Sequence, residues 1–216
     1  MHAKSKIFIV DDHPIFRKGL KQLINEESDM VVCGEAEDVN TAKKEIALSG
    51  PDMVIVDLTL KDKSGLELLH DIHSKYSIPT LVISMHDENL YAERVLKAGS
   101  SGYIMKQEMT SSVINAIRHV LSGKIYASET IINKLLGKLT DKADVKTDAV
   151  ESLSDRELEV FQLIGKGYSR KEISELLIVS TKTIGTYREN IKRKLNLKNS
   201  PELMKYAVEW IGKNNL

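Results

Sequence analysis

Along the first half of the chain, apolar residues follow two patterns in turn. Short β-branched runs (KIFIVDD, MVVCGEAE, MVIVD, TLVISM and GYIMK) each precede a stretch in which apolar residues recur at helical spacing: IFRKGLKQLIN, NTAKKEIAL, SGLELLHDIHSKY, DENLYAERVLKAG and TSSVINAIRHVLSG. Unbroken apolar runs suit strands buried on both faces, and the 3.6-residue recurrence suits helices laid against a sheet. The alternation therefore predicts an α/β unit, a doubly wound sheet of five parallel strands with helices on both faces. Sites in such sheets lie beyond the carboxyl ends of the strands. Asp11, Asp12, Asp57, Ser84 and Lys106 close strand runs and so fall on that edge.

From about Ile125 to Val150 the apolar positions thin out, and KLTDKADVKTDAVES is charged and small. This predicts a linker over 125–150, partly helical at SETIINKLLGKL, between a first domain at 1–124 and a second at 151–216. The second domain shows four helical patterns, near 155–164, 170–177, 181–195 and 201–212, and no strand pattern. SDRE and SRKE are capping boxes, and SPEL supplies a serine cap with proline in the first turn. The expectation is an all-α unit of four helices, in which LIVS forms the tight turn of a helix-turn-helix.

Composition adds constraints. The chain has 216 residues, and its single cysteine, Cys33, excludes an intrachain disulfide and points to a reducing compartment, with the thiol expected in the core. No apolar run approaches the roughly 20 residues needed to cross a bilayer, and the N-terminus meets charge too early for a secretory signal. A soluble, cytoplasmic protein with no membrane partner is expected. Charge is balanced overall, yet residues 1–124 hold 15 basic against 18 acidic side chains while 151–216 hold 12 against nine. The excess is too small to establish a nucleic-acid partner by itself.

Three carboxylates beside one lysine repel one another unless a cation intervenes. Mg²⁺ takes oxygen ligands and retains water, which leaves room for a phosphoryl group. Asp57 is then the candidate nucleophile, Lys106 neutralises phosphoryl charge, and Ser84 offers a hydroxyl. An aspartate nucleophile on an α/β sheet also fits phosphatases of the haloacid dehalogenase type. Those carry a general-acid aspartate two residues on, where this chain has Thr59.

Taken in order, IVDDHPIFRKGL, MVIVDLTLKDKSGLELL, LVISMHDE and GYIMK resemble the flavodoxin-like receiver domain of bacterial response regulators, over residues 5 to about 122. The resemblance implies that a sensor histidine kinase phosphorylates Asp57. It also implies that Asp11, Asp12, Asp57 and the backbone carbonyl of Thr59 hold Mg²⁺, and that Ser84 and Tyr103 form the switch pair. Two positions depart from the family's pattern: Lys61 and Gln107 stand where proline is common. A non-proline cis bond costs roughly 3 kcal/mol, which puts the family's cis peptide at Lys106–Gln107 in doubt; the sequence leaves the isomer open, and a trans linkage still lets Lys106 reach the phosphoryl group. His13 and His86 read as loop or surface histidines rather than ligands.

The segment LSDRELEVFQLIGKGYSRKEISELLIVSTKTIGTYRENIKRKLNL resembles the LuxR-type helix-turn-helix. With the receiver it gives the architecture of a NarL/FixJ-type transcriptional regulator, which implies a double-stranded DNA operator and a homodimer on it. Projection of residues 181–195 puts Ile184, Tyr187, Ile191 and Leu195 on one stripe, facing the core. The opposite face carries Lys182, Thr186, Glu189 and Arg193, flanked by Gly185, with Arg188 and Lys192 on the shoulder. The cations are candidates for phosphates, and Thr186 and Glu189 for base edges. Ser169, Arg170 and Lys171, at a helix N-terminus, and the hydroxyls of Thr181 and Thr183 are further phosphate candidates. For Glu189, an i,i+4 pair with Arg193 is the simpler reading. The family often has lysine where Gly185 stands and histidine where Tyr187 stands. Gly185 is therefore expected to bring the helix backbone closer to DNA. In the last helix, Leu203, Ala207, Val208, Trp210 and Ile211 are expected on one side, closing the core or supporting the dimer.

Overall fold

The computed structural model of the chain describes residues 3–60, 65–85, 88–140 and 149–214. Lys61 and His86 lie outside the described residues. The described residues fall into two compact units, one up to residue 140 and one from residue 149.

The first unit contains the predicted alternation. Its strands are β1 (Ser5–Val10), β2 (Met30–Ala36), β3 (Met53–Val56), β4 (Thr80–Ser84) and β5 (Gly102–Met105). They form one parallel sheet in the order β2-β1-β3-β4-β5. Helices α1 (Pro14–Glu26), α2 (Val39–Ser49), α3 (Gly65–Tyr76), α4 (Glu88–Lys97) and α5 (Met109–Leu121) provide the connections and cover the faces. Every residue of β3 and β4 is buried, which is why these strands read as solid apolar runs rather than as alternation. One side of the core joins Ile7, Ile9, Ile55, Leu81 and Ile83 to Leu20 and Ile24 of α1 and Ile117 and Val120 of α5. Cys33, expected in this core, is only half-buried, because β2 lies at the edge of the sheet.

Helix α6 (Glu129–Thr140) fills the predicted helical part of the linker, but it belongs to the first unit. It packs on α4, and Ile131 is fully buried. Just before it, Tyr126 joins the β5 edge: its N–H donates to Ser101 O at 2.9 Å, and its carbonyl accepts from Tyr103 N at 2.9 Å. Ser128 N donates to Glu88 Oε1 at 3.0 Å. The first unit therefore extends well past residue 124, held by backbone bonds that leave no periodic mark in the sequence.

The second unit is helical, with α7 (Asp155–Gly165), α8 (Arg170–Leu176), α9 (Thr181–Lys194) and α10 (Ser200–Asn214). Both capping boxes form: Ser154 with Glu157, and Ser169 with Glu172. The α10 cap differs from expectation, since Asn199 Oδ1 accepts from Glu202 N at 2.9 Å and Ser200 is already inside the helix. Asparagine caps as well as serine does, and a cap at Asn199 puts Pro201 in the first turn, where its missing N–H costs nothing. Leu203 and Ala207 are buried, and Trp210 and Tyr206 pack against Phe161 of α7, whereas Val208 is exposed. Ile184, Ile191 and Leu195 face the core as projected, while Tyr187 is only half-buried. Lys194 ties α9 to α7 through a 2.6 Å bond to the buried carboxylate of Glu157. Among the described residues, no helix is long and apolar enough to cross a membrane.

Candidate functional site

Asp57 follows the last residue of β3, and its N–H bonds to Val10 O at the end of β1. That bond draws the two strand ends together and brings Asp57 to Asp11 and Asp12. The Asp57 carboxylate is 2% exposed, and its Oδ1 accepts from Thr59 N at 3.1 Å. Asp11 is equally buried, and its Oδ1 accepts from His13 N at 2.7 Å. Lys106, one residue beyond β5, reaches across β4 to place Nζ 2.7 Å from Asp57 Oδ2 and 2.8 Å from Asp11 Oδ2. No cis peptide occurs among the described residues, so Lys106 makes this reach from a trans linkage to Gln107. The Phe16 ring lies beneath the ammonium, 4.2 Å from centroid to Nζ.

Burial dominates the electrostatics. It drives the Asp57 carboxyl up to about 6, with the Lys106 charge and hydrogen bond offsetting only part of the effect. For Lys106, burial favours the neutral amine, but the pull of Asp57 and the bonds to Asp11 and Asp57 outweigh it and raise its pKa. The result is a deeply buried carboxylate held beside one fixed cation.

The acidic cluster suits a hard divalent ion. Asp11, Asp12, His13 and Asp57 each bring one ligand atom, all within 4.8 Å of one another. Asp12 Oδ1 is buried and, among the described residues, its near polar neighbour is His13 Nδ1 rather than a fixed cation, so the carboxylate keeps lone pairs for an ion to satisfy. His13 was not expected here. Its Nδ1 lies 2.8 Å from Asp12 Oδ1 and 3.4 Å from Asp11 Oδ1, at the solvent rim of the cluster. The contiguous Asp11-Asp12-His13 triplet was the only sign of it in the sequence.

Ser84 ends β4 and is fully buried. Tyr103 is 1% exposed, more deeply set than a half-buried strand aromatic. The β4–β5 register pairs Val82 with Tyr103 and Ser84 with Met105. Since alternate residues share a face, Ser84 and Tyr103 lie diagonally on the same side of the sheet.

In the second unit, Ser169, Arg170, Lys171, Thr181, Lys182, Thr186, Glu189 and Arg193 are exposed, and Thr183, Gly185, Arg188 and Lys192 are half-buried. Several of these side chains already have partners. Thr183 Oγ1 bonds Ser180 Oγ at 2.8 Å within the α9 cap, and Ser169 Oγ caps α8. Glu189 pairs with Lys192 at 2.9 Å and not with Arg193, which donates to Asn190 Oδ1 instead. The i,i+4 pair expected from the sequence is thus replaced by an i,i+3 pair on the same helix. Gly185 departs further from expectation. A Cβ at this position would lie 2.6 Å from Arg170 Nη2 and 3.0 Å from its Cζ, so the space above the glycine holds a guanidinium from α8.

Fold and site together define an α/β unit with a buried aspartate facing a lysine within an acidic cluster, joined to a helix-turn-helix unit. Residues 7–118 match the family described as response regulator receiver domain, and residues 151–207 match the bacterial regulatory proteins of the luxR family. The chain belongs to the two-component response regulators that join a receiver to a LuxR-type DNA-binding domain. It is 36% identical over 211 residues to the oxygen regulatory protein NreC of Staphylococcus epidermidis, covering 94% of this chain and 97% of that one. NreC of Staphylococcus carnosus is likewise 36% identical, over 210 residues, with the same coverage of both chains. Among solved structures, a LuxR-family response regulator from Aurantimonas sp. SI85-9A1 shares 30% identity at a TM-score of 0.58, covering 63% of this chain and 99% of that one. A structure of two RcsB dimers bound to two parallel DNAs shares 26% identity at a TM-score of 0.57, covering 94% of this chain and 98% of that one.

Proposed function

We propose that a sensor histidine kinase phosphorylates Asp57, and that the phosphorylated protein binds a two-fold DNA operator as a homodimer through α8 and α9. The buried Asp57 carboxylate, 2.7 Å from Lys106 Nζ, carries this reading: a nucleophile with a fixed counter-cation and adjoining carboxylates for a metal. Mg²⁺ would be held by Asp11, Asp12, Asp57 and the Thr59 carbonyl, and when bound it supplies charge neutralisation for the incoming phosphoryl group. Lys106 orients the carboxylate and meets the new charge. Ser84 supplies a hydroxyl, and Tyr103, on the same face of the sheet, reports the change to the α4 side as the switch partner.

In the second unit, Lys182, Arg188 and Arg193 are assigned to phosphates, with Lys171 and the Thr181 hydroxyl at the helix ends, while Thr186 meets base edges. The RcsB dimers on DNA support the dimeric assembly. Turnover of free phosphomonoesters is not expected, because Thr59 contributes a backbone N–H to Asp57 and has no carboxyl to act as a general acid. Cytoplasmic localisation follows from the same reading, as the site of both kinase output and DNA.

Acetyl phosphate with Mg²⁺ is expected to add one phosphoryl group to the intact protein, read by mass. Asp57→Asn and chelation by EDTA should each abolish it. Selection of bound duplexes from a random pool, with and without acetyl phosphate, should recover a two-fold motif more strongly with the donor. Labelling that persists in Asp57→Asn would refute the phosphoacceptor assignment, and an identical pool under both conditions would refute the switch.

A further inference from the structure

The side chain of Arg170 does not extend freely from the start of α8. Its Nε donates to Thr181 O, in the first turn of α9, at 2.6 Å. The rest of the guanidinium lies over Gly185, where any β-carbon would overlap it. Arg188, three residues further along α9, shares that face of the helix. Arg188 is half-buried, and burial first and the Arg170 charge second both lower its pKa. Among the described residues neither arginine is ion-paired, and the Arg170 Nη groups have no acceptor. The Glu189 charge offsets that of Arg170 only in part, so the two guanidiniums repel one another, and an anion in contact with both relieves the repulsion.

We propose that Gly185 is a positioning residue that seats the Arg170 guanidinium on α9, and that the seated Arg170 and Arg188 together grip one backbone phosphate of duplex DNA. The proposal rests on the DNA-binding reading above and adds to it the reason for a glycine in a helix interior. The cost of the missing side chain is accepted because the vacated volume fixes the direction of an arginine carried by another helix. A β-carbon would not remove any charge. It would displace the far end of Arg170, so the two guanidiniums would no longer converge.

The test uses the full chain with Mg²⁺ and acetyl phosphate and a fluorescein-labelled random-sequence duplex, measured by anisotropy over a salt series. Arg170→Gln should weaken binding and lower the slope of log K against log salt by about 1. Gly185→Ala leaves every charge in place and favours the helix, so its melting midpoint should equal or exceed that of the wild type. It should nevertheless weaken binding by about threefold or more and reduce the salt slope, as the loss of one phosphate contact does. In the Arg170→Gln background, Gly185→Ala should add nothing, because the two residues act as one unit. Wild-type affinity in Gly185→Ala, a lowered melting midpoint, or an equal loss in both backgrounds would each overturn the proposal. Failure of the wild type to bind any duplex would instead overturn the DNA-binding reading on which it stands.

Discussion

Asp57 is held as a carboxylate against its own burial, and this has a measurable signature. Its pKa rises from 3.8 to about 6 on folding, so between those values the folded protein binds more protons than the unfolded chain. Its contribution to stability is therefore complete below about pH 4 and is lost as pH rises through about 6, a decline of up to about 3 kcal/mol. Paired carboxylates elsewhere push the other way, so the expected observation is a difference. In urea unfolding with EDTA between pH 4.5 and 7.5, Asp57→Asn should become progressively more stable relative to wild type. A flat difference would mean that the buried pair with Lys106 offsets the desolvation completely. At this scale, legibility depended on sequence distance. Asp11, Asp12, Asp57 and Lys106 each close a strand run, and the sheet topology brings such ends together. His13 was missed because one histidine beside two aspartates looks the same in a turn as in a cluster. The contact between Arg170 and Gly185 was missed because it crosses from one helix to another, and a glycine's sequence does not say what fills the space above it.

At the level of elements, helix starts follow local backbone chemistry that the sequence displays. The S-x-x-E boxes of α7 and α8 form because serine and glutamate satisfy each other's exposed backbone N–H groups within one turn, a purely local matter. At α10 the sequence offers two capping residues in succession, Asn199 and Ser200, and local rules do not choose between them. Glu202 decides: its carboxylate accepts from Lys198 N at 2.8 Å and from Asn199 Nδ2 at 3.2 Å, which locks the turn around Asn199. Asn199→Ala should therefore cost about 1 kcal/mol of stability, whereas Ser200→Ala should stay within about 0.5 kcal/mol of wild type. Chemical denaturation of the two variants distinguishes the assignments, and the reverse order would restore the serine cap. The Glu189 pairing is a related case. Positions three and four residues ahead are both within reach on a helix, so the choice of Lys192 over Arg193 depends on side-chain placement rather than spacing.

At the scale of the whole chain, the two-unit organisation was plain from the change of hydrophobic period, but the boundary was not. Residues 125–140 read as a linker because one buried isoleucine and a single extended bridge are too little to produce a pattern. Ile131 alone accounts for about 2 kcal/mol when fully buried, and the Tyr126 and Ser128 backbone bonds add to it. A fragment of residues 1–140 should accordingly unfold at a distinctly higher urea midpoint than one of residues 1–124, and equal midpoints would return α6 to the linker. The Tyr126 bridge has a further consequence for the protein in a crowded solution. β5 is the last strand of its sheet, and an uncovered last strand offers its backbone to any extended segment that drifts against it. Tyr126 occupies that row first, approaching so closely that a Cβ at Gly102 would lie 2.8 Å from its carbonyl oxygen. A side chain at Gly102 would push Tyr126 off the start of β5 and leave that stretch of backbone open to an extended segment of another copy.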